Sequence, residues 1–386
     1  MLPKLLIVSN VPSMLREFLL PYGEHFKNLG WQVDAMVSDA TTDADNFEKT
    51  EDVFGTIWRV EWSRNPLDPR NFIKAPQAIQ AVQEKGGYDI VHVHTPVAAF
   101  LTRYALRHLR EQGKPKLIYT AHGFHFHREG GFIKNQIYKI LEKTAGRWTD
   151  YLVVINREDE EAAKRFRIVP AEKVRYMPGI GVDREKYSGT GILPEQILAV
   201  RKELNVAESD KIILMIAEFN PGKRHRDALN ALAKLDRTNV KLVLAGVGPL
   251  ENDVAAQANA LGLSEQVRFL GYRRDVPVLL KAAHALLLPS EREGLPRSIL
   301  EAMCMGIPVI STRIRGVADL LEENAGIMTS VGDTDAIAEA MGWIADSPEA
   351  ALAMGKRGQE KMKFFSLENV IRMHEALYAE ALGTNQ

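Results

Sequence analysis

Residues 285–312 read ALLLPSEREGLPRSILEAMCMGIPVIST, and the rest of the chain can be read outward from them. Leu286–Leu288 is a short apolar run closed by Pro289, the pattern of a buried parallel strand. Pro296 falls where a helix can start, because a missing N–H costs nothing in the first turn. Ile299, Leu300, Met303 and Cys304 recur at helical spacing, Gly306-Ile307-Pro308 stops that helix, and Val309-Ile310-Ser311 opens another strand. A turn containing Gly294 therefore delivers backbone N–H groups at a helix N-terminus beyond the end of a strand, a place for an anionic phosphate. Glu293 and Glu301 flank it, with seven residues between them. A carboxylate facing a pyrophosphate would be repelled, so the pair reads as acceptors for sugar or ribose hydroxyls. The plainer alternative is a solvated Glu293 and a Glu301 that favours the helix start.

The composition sets bounds. At 386 residues the chain is long enough for two domains, each with its own core. Its 49 Lys and Arg nearly balance 50 Asp and Glu, so no overall field argues for nucleic acid. Residues 101–150 depart from that balance, with ten basic against four acidic residues. The lone cysteine, Cys304, excludes an intramolecular disulfide and suits the cytoplasm. The opening MLPKLLIVSN is too short an apolar run for a signal peptide or a span and reads as a first strand.

Strand and helix patterns alternate along the chain. Strands are expected at 5–8, 33–37, 57–60, 90–93, 117–120 and 152–155, with helices near 15–29, 72–85, 98–111 and 133–148. The pattern loosens over 184–208, then resumes with strands at 212–216, 241–245, 267–270, 285–288 and 309–311. A final helix, about 366–382, carries Leu367, Val370, Ile371, His374, Leu377, Tyr378 and Ala381 on one side. The expected class is α/β: two doubly wound Rossmann-like domains, 1–187 with a returning helix at 366–386, and 188–365.

The run EREGLPRSILEAMCMGIPVIST resembles the donor-binding signature of family 4 of the retaining, GT-B-fold glycosyltransferases. That resemblance implies the two domains face each other across a cleft, with the last helix crossing back to the first. It also implies a nucleotide-diphosphate sugar donor, with a UDP-sugar expected, and no metal. Gly294 and Leu295 at the helix start would hold the pyrophosphate, Glu301 the ribose and Glu293 the sugar.

IAEFNPGKRH, residues 216–225, nearly spells a P-loop, but Ala217 replaces its first glycine and Arg224 its hydroxyl. The family carries an arginine here and a lysine five residues later. Lys223 matches the lysine, whereas Glu218 stands in the arginine's place, leaving Lys223 to act alone or with Arg224 or Arg226. In AGVGPLEN, Gly246 and Gly248 admit a close approach, and the resemblance sets Gly246 beside the nucleotide. FLGYRRDV, residues 269–276, matches the base-holding segment, though Arg273 and Arg274 could equally be surface charges.

HVHT at 92–95 and AHGFHFH at 121–127 gather five histidines at the ends of two strands, without a carboxylate or cysteine at metal-ligand spacing. His122 matches the family histidine that contacts the transferred sugar; His92 and His94 suit a core role, and His125 and His127 the acceptor side. Many family members carry Gly-Gly after the first strand, where this chain has Ser9-Asn10-Val11-Pro12-Ser13. The segments DIVHVHTPVA and YTAHGFHFH look most like the branch that builds capsular and extracellular polysaccharides.

Arg103, Arg107 and Arg110 at helical spacing, with Phe124, Phe126, Phe132 and Ile133 among Arg128 and Lys134, suggest weak contact with an anionic membrane surface. The expected activity is transfer of a hexose or N-acetylhexosamine, with retention, to a glycan or lipid-linked acceptor. The enzyme is expected in the cytoplasm, at most peripheral to the inner face of the membrane. A nucleotide-sugar 2-epimerase and a non-catalytic nucleotide-sugar binding protein are the alternatives.

Overall fold

The computed structural model describes residues 2–10, 12–38, 48–63, 68, 70–126 and 130–384. The chain divides into two compact units, Met1–Ile180 with Val370–Gln386, and Gly181–Asn369.

The first unit is built on seven strands: β1 Lys4–Val8, β2 Gln32–Ser38, β3 Ile57–Val60, β4 Ile90–Val93, β5 Lys116–Ala121, β6 Tyr151–Val154 and β7 Val174–Tyr176. They lie in the order β3-β2-β1-β4-β5-β6-β7, every pairing parallel. The chain leaves β1 toward β2 and later returns on its other side with β4. That reversal is the topological switch, and ligands gather beyond the carboxyl ends of the strands beside it. β1 and β4 are apolar along almost their whole length because helices cover both faces.

The second unit repeats the plan with six strands: β8 Lys211–Ile216, β9 Val240–Ala245, β10 Val267–Phe269, β11 Ala285–Leu288, β12 Val309–Thr312 and β13 Ile327–Thr329. Their order is β10-β9-β8-β11-β12-β13, again parallel throughout, with the switch between β8 and β11. The expected α/β class holds in both units. Two edge strands, β7 and β13, were not expected from the sequence. Each has three residues, too few to show a period.

The unit boundary differs from the one read in the sequence. Val182 and Tyr187 are buried in the core of the second unit, and Val182 pairs with Ser366 in an isolated parallel bridge, so the passage comes at 180/181 rather than 187/188. The Leu367–Leu382 helix starts in the second unit, and from Val370 onward its residues belong to the first. There Tyr378 Oη lies 2.6 Å from His92 Nδ1, and Glu380 takes both carboxylate oxygens to Arg175 at 2.7 Å.

Candidate functional site

In the second unit the loops after β8 and β11 meet at the switch. Asn220 caps the turn Pro221–Lys223 by accepting from the Lys223 N–H at 3.2 Å, and its amide donates to Glu218 Oε2 at 2.9 Å. The Glu291 N–H donates to Gly222 O at 2.9 Å, joining the two loops. Across this join Lys223 Nζ lies 2.6 Å from Glu293 Oε1. A charged pair so placed puts a cation and a carboxylate side by side, each partly open to solvent.

The 289–296 loop is braced from behind by β12 and its following turn. Ser311 Oγ donates to Leu288 O at 2.6 Å, Thr312 Oγ1 donates to Ser290 O, and Arg315 Nε reaches Glu293 O at 3.5 Å. Gly316 has φ +75°, and a Cβ on it would lie 1.9 Å from Gly294 O, so only glycine admits this contact. The helix itself is Arg297–Cys304, with Pro296 extended just before it at φ −72°, ψ 119°. Pro296 is thus the residue before the helix and not its first. The N–H groups lacking a carbonyl one turn back are those that follow Pro296, so Gly294 and Leu295 form the approach to the helix start and not the start itself.

Glu301 lies one turn further in and is only 6% exposed. Tyr187 Oη and Arg297 Nε both donate to its Oε1 at 2.7 Å, and no hydrogen bond from the described residues falls on Oε2. Burial pushes its carboxyl pKa up, against the pull of Arg297 and Tyr187. An oriented carboxylate with one oxygen engaged can accept hydroxyl hydrogen bonds on the other.

Other residues singled out in the sequence make contacts within the protein. Arg224 adopts a left-handed backbone at φ 55°, with its guanidinium on Asp227 and within 3.6 Å of Glu291. Its charge therefore faces two carboxylates. Gly246 makes room for neighbouring backbone: a Cβ there would stand 2.0 Å from Ala217 O. Glu218, where the family places arginine, holds the capping Asn220. Arg273 ties Asp275 and Glu203 together and so fixes its own loop. Cys304 is buried, its thiol pushed up to about 12 by desolvation, which makes it inert.

In the first unit, the ends of β4 and β5 bring histidines together beside the switch. His94 Nδ1 is 3.3 Å from His122 Nε2, and the His92 and His94 rings are 4.2 Å apart. His92 is filled on both nitrogens, by Tyr378 Oη and by Thr120 Oγ1 at 2.7 Å. Burial holds His92 and His94 well below the ordinary range and lowers His122 and His374 to about 4, so these rings are neutral at neutral pH. Among the described residues no group of three or more His, Cys, Asp or Glu is placed to hold a metal ion. His125 packs 5.1 Å from the Tyr138 ring; His127 and Arg128 lie outside the described residues.

After β1, the Asn10 N–H donates to Thr95 Oγ1 at 2.9 Å, and its Oδ1 accepts from Trp62 Nε1 and the Ala98 N–H. Asparagine thus ties together a turn where a Gly-Gly pair would leave open space; Val11 lies outside the described residues. The membrane face expected from the sequence is also revised. Arg103 is 1% exposed, under the Tyr119 ring and paired with Glu142, while Phe124 and Phe126 stack on each other in the core. None of the three can touch a bilayer.

Two family models match the chain, "Glycosyltransferase Family 4" over residues 21–186 and "Glycosyl transferases group 1" over residues 196–361. The chain is 32% identical to the putative glycosyltransferase EpsD of Bacillus subtilis over 98% of this chain and 97% of that one. It is 30% identical to the UDP-Gal:alpha-D-GlcNAc-diphosphoundecaprenol alpha-1,3-galactosyltransferase of Escherichia coli, over 71% and 70% of the two chains. Anabaena Alr3699/HepE, solved with UDP and glucose, shares the fold at a TM-score of 0.80 and 19% identity, over 98% of this chain and all of that one. With a relative this similar along nearly its full length and a family model on each unit, the chain belongs to the family 4 glycosyltransferases.

Proposed function

We propose that the protein moves a hexose or N-acetylhexosamine from a UDP-sugar to a lipid-linked or glycan acceptor, with retention and without a metal, in the building of cell-surface polysaccharide. The observation that carries the reading is Lys223 meeting Glu293 beside the first turn of the Arg297–Cys304 helix, at the β8/β11 switch. Lys223 and that first turn would take the diphosphate, and their positive potential would stabilise the charge gathering on it as it leaves. With three protons on Nζ, Lys223 can keep Glu293 and still donate to phosphate. Glu293 would receive sugar hydroxyls, Glu301 Oε2 the ribose hydroxyls, and His122 would contact the transferred sugar. The acceptor would attack the face the leaving group departs from, so no protein nucleophile is assigned.

The Escherichia coli relative, whose name gives UDP-galactose as donor and a diphosphoundecaprenol-linked acceptor, supports the donor and acceptor classes. The place of work would be the inner face of the cytoplasmic membrane; among the described residues no helix is long and apolar enough to cross one. The test is thermal-shift screening against nucleotide sugars, followed by transfer assays on lipid-linked and free acceptors, with and without chelator. Transfer that survives the chelator supports the reading. Activity lost to the chelator would contradict it, as would epimerised donor formed without acceptor, or donor bound and never turned over.

A further inference from the structure

The helix Phe132–Gly146 is packed the wrong way round for a helix covering a sheet. Of its fifteen residues only Ala145 and Gly146 are buried. Its large apolar side chains face water: Phe132 and Ile133 are each 76% exposed, Ile140 64%, Ile137 53% and Leu141 40%. The neighbouring Pro96–Glu111 helix does the opposite and buries Ala98, Ala99, Leu101, Ala105 and Leu106. At 100° per residue, Ile140, Ile133, Ile137 and Leu141 fall within one ~100° arc, and Phe132 lies outside it at the start of the helix. The charges around the arc have one sign. Lys134 borders one side, Lys143 and the following Arg147 the other, and all three are exposed. The helix has a single carboxylate, Glu142, and it turns inward to Arg103 and Tyr119. The far end is pinned, because Gly146 sits so close to Ile168 O that a Cβ would lie 1.8 Å from it.

We propose that this face lies flat on an anionic lipid bilayer, apolar arc in the acyl boundary and cations at the phosphates. A helix of fifteen residues is about 22 Å long, too short and too charged to span, but long enough to lie in the interface. Charge decides the occupant. Two copies face to face would bring six cations together with no exposed carboxylate of the helix between them, whereas an anionic lipid surface complements all three. The proposal supplies the contact surface for the location proposed above and rests on that reading only there. Vesicle binding is measured without donor or acceptor, so its failure leaves sugar transfer untouched.

The experiment floats the full chain with vesicles of phosphatidylcholine alone or mixed with phosphatidylglycerol, at low and high salt. Binding to the mixed vesicles alone, weakened by salt, is expected. Ile133→Asp with Ile137→Asp should lower the partition on the order of tenfold or more. Lys134→Ala, Lys143→Ala and Arg147→Ala together should lower it on the order of a hundredfold, at roughly fivefold per cation. Leu198→Asp, at another exposed apolar residue, should change nothing. The proposal is overturned if the wild type ignores phosphatidylglycerol, if Leu198→Asp costs as much as the Ile pair, or if neither multiple variant weakens binding. It is equally overturned if the wild type sediments as a dimer that the Ile pair splits.

Discussion

Lys223→Ala separates catalysis from stability, because the two consequences differ in size. In the folded chain Lys223 Nζ meets Glu293 Oε1 at 2.6 Å, with the side chains 26% and 11% exposed. A pair open to water in this way contributes about 1 kcal/mol or less, so unfolding in denaturant should shift by no more than that. The effect of the proposed pyrophosphate role is larger. Removing one pre-placed charge-stabilising group costs about 10²–10³ in turnover, or about 3–4 kcal/mol at the transition state. Because charge builds on the leaving diphosphate, kcat should fall more than the affinity for UDP-sugar. Lys223→Arg, which keeps the charge at a different reach, should recover part of the loss. The assay is steady-state transfer with the preferred UDP-sugar beside equilibrium denaturation of the same preparation. A loss below about tenfold, or one accounted for by unfolding, would refute the assignment.

Other outcomes follow from the same geometry. Glu301→Gln keeps the shape but removes the charge from Tyr187 and Arg297; stability should fall by about 1–2 kcal/mol and UDP affinity about tenfold, read by calorimetric titration. Gly316→Ala should cost about 1–3 kcal/mol in unfolding and weaken UDP binding, since φ +75° and the contact with Gly294 O leave a Cβ no room. Stability should also fall as pH drops from 7 to 5. Burial lowers His122, His225, His284 and His374 from 6.5 to about 4, so the unfolded chain takes those protons first. Their contribution is complete above 6.5 and declines toward about 4, on the order of 1–3 kcal/mol per group, opposed only in part by the raised Glu301. Denaturation at pH 7, 6 and 5 checks this, and a flat profile would contradict it.

What could be read from the sequence is what burial writes into it. Every strand covered on both faces appeared as an apolar run, which is why β1, β4, β8 and β11 were found. The edge strands β7 and β13, VRY and IMT, had no such pressure on them. Lys223, Glu293 and Glu301 were singled out by resemblance to the family signature, but the Lys223–Glu293 pair joins residues 70 apart, and Tyr187 reaches Glu301 across 114. No local pattern carries such pairings. The arginines misled in an instructive way. Arg103 repeats with Arg107 and Arg110 as an exposed stripe would, yet it lies under Tyr119, held by Glu142 and Thr149. Period gives the side of a helix, and only the fold tells which side faces water. Gly246 shows the same limit: glycine signals a tight approach without saying what approaches.

The division at 180/181 and 369/370 also has a temporal meaning. During synthesis the whole of Gly181–Asn369 is contiguous and can fold as soon as it leaves the ribosome. The lobe begun first must wait for the residues from Val370 onward, because Tyr378 seals His92, His374 packs 5.0 Å from the Tyr22 ring, and Glu380 latches Arg175. A nascent chain stalled short of Val370 would hold one finished lobe and one with its histidine stack uncapped. Trimming the tail at that point should therefore leave the later-made lobe intact and loosen the earlier one.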